Sequence, residues 1–205
     1  ASREYMREVY PKKQIVLHHT VSGDSVGGDI NWWLKDGPRV GTCILIARDG
    51  IIHQVFSSKY WAYHLGENGK DHKKLGLPYQ RNDMKSIGIE IDSWGGLTFD
   101  SSLNVWRSYT GSRVETKDVI VYPEKFRGYY GFERYTPEQI ESVRQLLVFW
   151  GELYDIPLDY HADMWDISKL ALSGWSGVFA HTSYRSDKSD VHPQPELIKM
   201  LKGLM

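Results

Sequence analysis

G-T-C-I-L-I-A-R-D-G-I-I-H-Q-V-F, Gly41 to Phe56, is the stretch on which the fold turns. Its two apolar runs, Gly41 to Ala47 and Ile51 to Phe56, flank Arg48-Asp49-Gly50. An Asp-Gly turn between apolar runs is a strong local hairpin signal, because glycine accepts the positive φ that twisted strands demand of a tight connection. Upstream, Gln14 to His19 (Q-I-V-L-H-H) is a short β-branched apolar run and reads as a strand. Downstream, Ser86 to Asp92 (S-I-G-I-E-I-D) sets Ile87, Ile89 and Ile91 against Gly88, Glu90 and Asp92. That period of two marks a strand with two different faces. Gly177 to His181 (G-V-F-A-H) reads as a short last strand.

Helical signals lie outside this set. The strongest starts at Thr136, an N-cap followed by Pro137 at the first position and Gln139 at the capping-box site. Ile140, Val143, Leu147, Trp150 and Tyr154 follow at helical spacing, and Pro157 closes the run. Pro195 to Leu204 reads as a terminal helix, and Asp29 as the cap of a short helix, Ile30 to Lys35, ended by Gly37-Pro38. Glu67 to Asn82 is polar and lysine-rich and reads as a surface loop. From Gly95 to Arg134 the patterning weakens to mixed Tyr, Gly and charge, with one strand at Val119 to Tyr122. The expectation there is an insertion of loops and a short hairpin. Strands and helices intermingle without regular alternation, which predicts a mixed α/β fold. Its centre is a mixed β-sheet of about five or six strands flanked by helices, in a single domain over residues 1–205.

Bulk properties narrow the function. A net charge of −1 gives no electrostatic reason for a nucleic-acid or anionic-membrane partner. No apolar run approaches the ~20 residues of a membrane span. Ala1 to Lys13 is polar and lacks the apolar segment of a secretory signal. The lone Cys43 excludes an internal disulfide and reads as a small buried hydrophobe. Eight Trp and thirteen Tyr serve packing for the most part, but such a load also suits a groove for sugars and peptides.

Three clusters of chemically able residues fall at predicted strand ends. Adjacent His18 and His19 point to opposite faces, so one at most enters a given site. His181 is followed nine residues later by Asp190, with Lys188 between, and a strand-end His plus a loop carboxylate can meet across one loop. Zinc takes imidazole and carboxylate, three protein ligands leaving a position open for catalysis. Glu90 taken alone is a carboxylate on the solvent face of its strand.

Five pieces in order raise these residues together: L-H-H-T from Leu17, G-T-C-I-L-I-A-R-D-G from Gly41, W-A-Y-H-L-G from Trp61, N-D-M-K-S-I-G-I-E from Asn82, and G-V-F-A-H with D-K-S-D near the end. The chain resembles the type-2 N-acetylmuramoyl-L-alanine amidases, a family that includes peptidoglycan recognition proteins and small phage lysozymes that are amidases. The resemblance covers about Gln14 to Asp92 and Tyr135 to Asp190. It implies a Zn2+ ion held by His18, His181 and Asp190, with Glu90 as general base and Lys188 beside the metal. His64, Trp61 and Thr42 fall at the implied substrate cleft. Two departures stand out. Thr42 and Cys43 occupy positions where the phage lysozymes place a catalytic tyrosine, which moves proton transfer toward Glu90. His192 competes with Asp190 as third ligand, although the spacing from Lys188 favours Asp190.

The implied reaction is hydrolysis of the amide between N-acetylmuramic acid and L-alanine in bacterial peptidoglycan. The partner is then peptidoglycan or a muropeptide, and the protein is expected to be a monomer. The missing signal and wall-binding segment fit a phage-type cell-wall lysin. The alternatives are a non-catalytic peptidoglycan recognition module and a bacterial wall-recycling amidase.

Overall fold

The computed structural model describes residues 5–35 and 40–204. Its strands in chain order are β1 (Gln14–His19), β2 (Ile44–Ile46), β3 (Ile52–Gln54), β4 (Ser86–Ile91), β5 (Gly96–Asp100), β6 (Val105–Arg107), β7 (Arg113–Val114), β8 (Val119–Phe126), β9 (Tyr129–Glu133) and β10 (Gly177–Ala180). The helices are α1 (Val26–Lys35), α2 (Lys70–Lys74), α3 (Pro137–Tyr154), α4 (Lys169–Leu172) and α5 (Pro195–Lys202). Two five-stranded sheets result, ordered β10-β1-β4-β2-β3 and β7-β6-β5-β9-β8.

The first sheet is the mixed one that the sequence predicts. β1 runs parallel to both β4 and β10, β2 parallel to β4, and the hairpin adds β3 antiparallel. All six residues of β1 are buried, as expected of a parallel strand covered on both faces. Parallel partners in register share a face, so the sheet sorts its side chains cleanly. Ile15, Leu17, Ile87, Ile89 and Val178 pack with Val143, Leu147 and Trp150 of α3 and Leu197 and Leu201 of α5. Each fully buried aliphatic side chain on that face contributes about 1.5–3 kcal/mol. The opposite face holds Val16 and Phe179 against Leu65, Ala171, Leu172 and Tyr184. Farther along this second face, His18 and Glu90 stand side by side in register. Gly88 is required there, since a β-carbon would lie 2.6 Å from the Thr42 methyl and 3.1 Å from His64 Nδ1.

α3 begins where its cap predicts. Thr136 Oγ1 accepts from the Gln139 amide at 3.0 Å and Gln139 Oε1 accepts from the Thr136 amide at 3.0 Å. Gln139 Nε2 also donates to the Asp92 carbonyl at 2.8 Å, tying the helix start to the end of β4.

Several expectations need correction. α1 starts at Val26 rather than Ile30, with Ser25 Oγ accepting from the Gly28 amide at 3.2 Å. Its expected terminator, Gly37-Pro38, lies outside the described residues. The supposed loop 67–82 contains α2, and Asp71 and His72 there are buried. The largest revision concerns 95–134, which forms the whole second sheet, antiparallel throughout. Its strands are short and one-sided. A small cluster of Leu97, Trp106, Val114 and Val119 lies beneath them, with Trp94 against it, and Val105 and Phe132 are buried as well.

Candidate metal centre and cleft

The carboxyl ends of β1 and β10 meet at one point, and open α/β sheets bind ligands outside such ends. His18 closes β1, His181 starts the 3-10 turn that follows β10, and a loop returns Asp190 to the pair. His18 Nδ1 and His181 Nδ1 lie 3.0 Å apart. Asp190 Oδ2 is 2.8 Å from the second nitrogen and 3.2 Å from the first. All three residues are buried.

With the rings neutral, hydrogen bonding selects which ring atoms carry protons. His181 Nε2 sits 2.9 Å from the Leu65 carbonyl, which only accepts, so the proton is on Nε2 and a lone pair is on Nδ1. The outer nitrogen of His18 leads into a chain. Ser86 Oγ donates to the Asp83 carbonyl at 3.3 Å, so it accepts from His64 Nε2 at 2.7 Å. His64 Nδ1 then bears a lone pair and accepts from His18 Nε2 at 2.9 Å, which leaves His18 Nδ1 unprotonated too. Two imidazole lone pairs and a carboxylate oxygen thus converge with no proton among them. Such a donor set calls for a positive charge, supplied by a proton or a metal ion. Burial first, and then His181, lower the His18 pKa to about 4, so a proton is poorly held there near neutral pH. Burial works against ionising Asp190, yet His181 and His18 hold its carboxyl well below the usual range. Nitrogen, nitrogen and oxygen donors with outer nitrogens hydrogen-bonded suit zinc.

The other histidines sort by geometry. His19 faces the far side of the sheet, its Nδ1 2.8 Å from the Tyr135 hydroxyl. His192 is stacked between Phe132 at 4.7 Å and Tyr135 at 4.5 Å. Its Nδ1 meets the Tyr122 hydroxyl at 2.8 Å and its Nε2 the Glu133 carbonyl at 3.1 Å. Both nitrogens are therefore engaged away from the centre, where Asp190 stands instead.

A cleft of about 250 Å3 opens over the three residues, lined also by Thr42, His64, Glu90 and Lys188. Burial, and then Asp190 and Asp29, push the Glu90 carboxyl well above its usual range. Thr42 Oγ1 donates to the Ile44 carbonyl at 2.7 Å, so its hydroxyl is committed to the backbone. Trp61 does not line the cleft; it is buried edge-on against Tyr63 and Tyr10. Trp32 and Trp33 of α1 form the wall instead. The only sequence signal for them was the excess of tryptophan, which does not say which rings are exposed.

A mixed α/β sheet with a His-His-Asp cluster under a carboxylate-bearing cleft defines the class, a protein built around a candidate metal centre. The family model of the N-acetylmuramoyl-L-alanine amidases matches residues 8–195, and the chain belongs to that family. Its enzyme class is accordingly that of a peptidoglycan amidase. Among solved structures, PlyL is similar with a TM-score of 0.54 at 14% identity, over 97% of this chain and 89% of that one. The amidase AmiD from E. coli, in complex with anhydro-N-acetylmuramic acid-L-Ala-D-γ-Glu-L-Lys, gives 0.55 at 17% identity, over 97% of this chain and 61% of that one. AmpD gives 0.51 at 16% identity, over 98% and 90%. At such identities the likeness speaks for the fold. No curated protein sequence matches the chain.

Proposed function

We propose that this chain hydrolyses the amide between the lactyl group of N-acetylmuramic acid and L-alanine, with zinc held by His18, His181 and Asp190. The observation that carries this reading is the convergence of two lone-pair nitrogens and one carboxylate oxygen, 2.8 to 3.2 Å apart, at the floor of an open cleft. When bound, zinc polarises a carbonyl and brings the pKa of water to about 7. Two neutral imidazoles and one carboxylate leave the centre positive overall, which keeps it electrophilic.

Glu90 acts as general base and then acid. It shares the sheet face and register of His18, and burial, followed by Asp190 and Asp29, raises its carboxyl pKa, which strengthens the ionised group as a proton acceptor. It takes the proton of the attacking water and delivers it to the departing alanine nitrogen. Lys188, on the cleft wall, stabilises the negative charge that develops on the carbonyl oxygen, an effect worth about 3 kcal/mol in comparable sites. His64 holds no substrate in this scheme. It positions His18 by accepting from Nε2, as outer hydrogen bonds to metal-ligating histidines do.

The biological setting we read is wall lysis of the phage type, acting on intact polymer. The exposed Trp32 and Tyr109 leave the groove beyond the cleft open to a long chain. Purified sacculi and soluble anhydro-muropeptides serve as the test pair. Release of new alanine amino termini from sacculi, abolished by a chelator and restored by zinc, is the expected result. Cleavage confined to soluble fragments makes the chain a recycling enzyme, and binding without cleavage by zinc-loaded protein rejects the amidase reading.

A further inference from the structure

Two of the motifs around the site hold residues with no part in the scheme above. N-D-M-K-S-I-G-I-E supplies Glu90 at its end, while Asn82 and Asp83 at its head line no part of the cleft. W-A-Y-H-L-G supplies His64, while Leu65 is buried in the cluster on the second face of the first sheet. The structure joins these leftover residues. The His64 and Leu65 amides both donate to Asp83 Oδ1, each at 2.9 Å. Beside this fork, Glu67 accepts from the Asn82 amide and from Asn82 Nδ2, each at 2.8 Å. Asp83 itself is buried.

What the fork holds is the outer side of both histidine ligands. His64 Nδ1 accepts from His18 Nε2, and the Leu65 carbonyl accepts from His181 Nε2, both at 2.9 Å. Asp83 acts on His64 a second time, since its carbonyl accepts from Ser86 Oγ, which accepts in turn from His64 Nε2. Gly66 follows at φ 58, so the segment gains no stiffness from a side chain there. Leu65 is fully buried, and a buried N–H without a partner is costly, so its amide stays on Oδ1.

We propose that Asp83 is a positioning residue for the metal centre, one carboxylate oxygen that fixes the hydrogen-bond partners of His18 and His181 together. The inference rests on the zinc reading of His18, His181 and Asp190. Both donors to Oδ1 are neutral main-chain amides, so the geometry asks for an acceptor oxygen and not for a negative charge. Linkage adds a second consequence. A fork that favours metal binding is itself favoured by bound metal, by the same factor.

The test uses the full chain, with the zinc dissociation constant read by competition with a chromophoric chelator and the fold by circular dichroism. Outer partners of ligating histidines shift metal affinity about 10–100-fold, and a group one bond farther out belongs at the lower end. We expect Asp83→Ala to weaken zinc binding about tenfold and to lower kcat with KM little changed. Asp83→Asn keeps an acceptor oxygen and stays within about threefold of the parent on both. Equal zinc affinity in the parent and in folded Asp83→Ala overturns the inference and leaves the metal centre standing, as does a tenfold loss in Asp83→Asn. A parent chain that takes up no zinc removes the metal reading and this inference with it. Hydrogen exchange in the parent decides the matter even where Asp83→Ala does not fold. Zinc is expected to slow exchange at the His64 and Leu65 amides about tenfold more than at amides in the middle of α3, and equal slowing overturns the role of the fork.

Discussion

The first sheet is buried on both faces except at its edge strand β3, whereas the second is packed on one and wet on the other. β1 hides all six of its residues, while β8, longer at eight, fully buries Val119 alone. The first sheet's core runs through α3 and α5; the second has a small cluster of its own around Leu97, Trp106, Val114 and Val119. His18, Glu90 and His181 all stand on or directly after strands of the first sheet, whereas the second contributes a groove wall and no candidate ligand. The candidate ligands thus sit on the more deeply buried sheet, and the more exposed one supplies only part of the groove wall.

Four substitutions break or sharpen that contrast. His181→Ala removes one of three convergent donors, and we expect loss of stoichiometric zinc by elemental analysis and at least about a thousandfold loss of turnover. Retention of full metal would show that the first sheet is not the metal platform. Glu90→Ala leaves metal content and melting temperature near those of the parent, while kcat falls about 10²–10⁴-fold. Near-normal turnover of sacculi by this variant rejects the assigned base. Phe132→Ala tests how firmly the two sheets are joined, because its buried ring stacks on His192. A loss of about 3–5 kcal/mol in urea unfolding is expected. A change under 1 kcal/mol would make the second sheet a loosely attached flap. Thr136→Ala is the mildest, costing about 1 kcal/mol through the lost cap, with kcat unchanged at saturating substrate. A marked fall in kcat would reveal that the tie from Gln139 to β4 matters for chemistry as well as for stability.

The same contrast explains what could be read from the residues. β1, β4 and the Gly41–Phe56 hairpin were legible because a buried strand writes a dense apolar pattern, and α3 because its cap is a local code. The second sheet was not, since strands with one solvated face alternate only weakly, and Gly96, Gly131 and several charges interrupt them. For the site, local pattern supplied strand ends bearing His18, Glu90 and His181, while their grouping with Asp190 came from family resemblance. No local rule announces that residues 163 positions apart will place two nitrogens 3.0 Å from each other. The placement of Trp61 was equally beyond the sequence, because it depends on which way a ring turns, whereas the spacing from Lys188 had already favoured Asp190 over His192.

His192 deserves a last consequence. Clamped between Phe132 and Tyr135, it anchors the loop two residues beyond Asp190 on rings that do not belong to the β6–β7 turn. The turn around Tyr109 can therefore be exchanged for another sequence without loosening that anchor, provided Tyr122, Phe132 and Tyr135 keep their places. A library grafted onto residues 108–112 is thus a route to variants of the groove wall on an unchanged frame around the candidate metal centre.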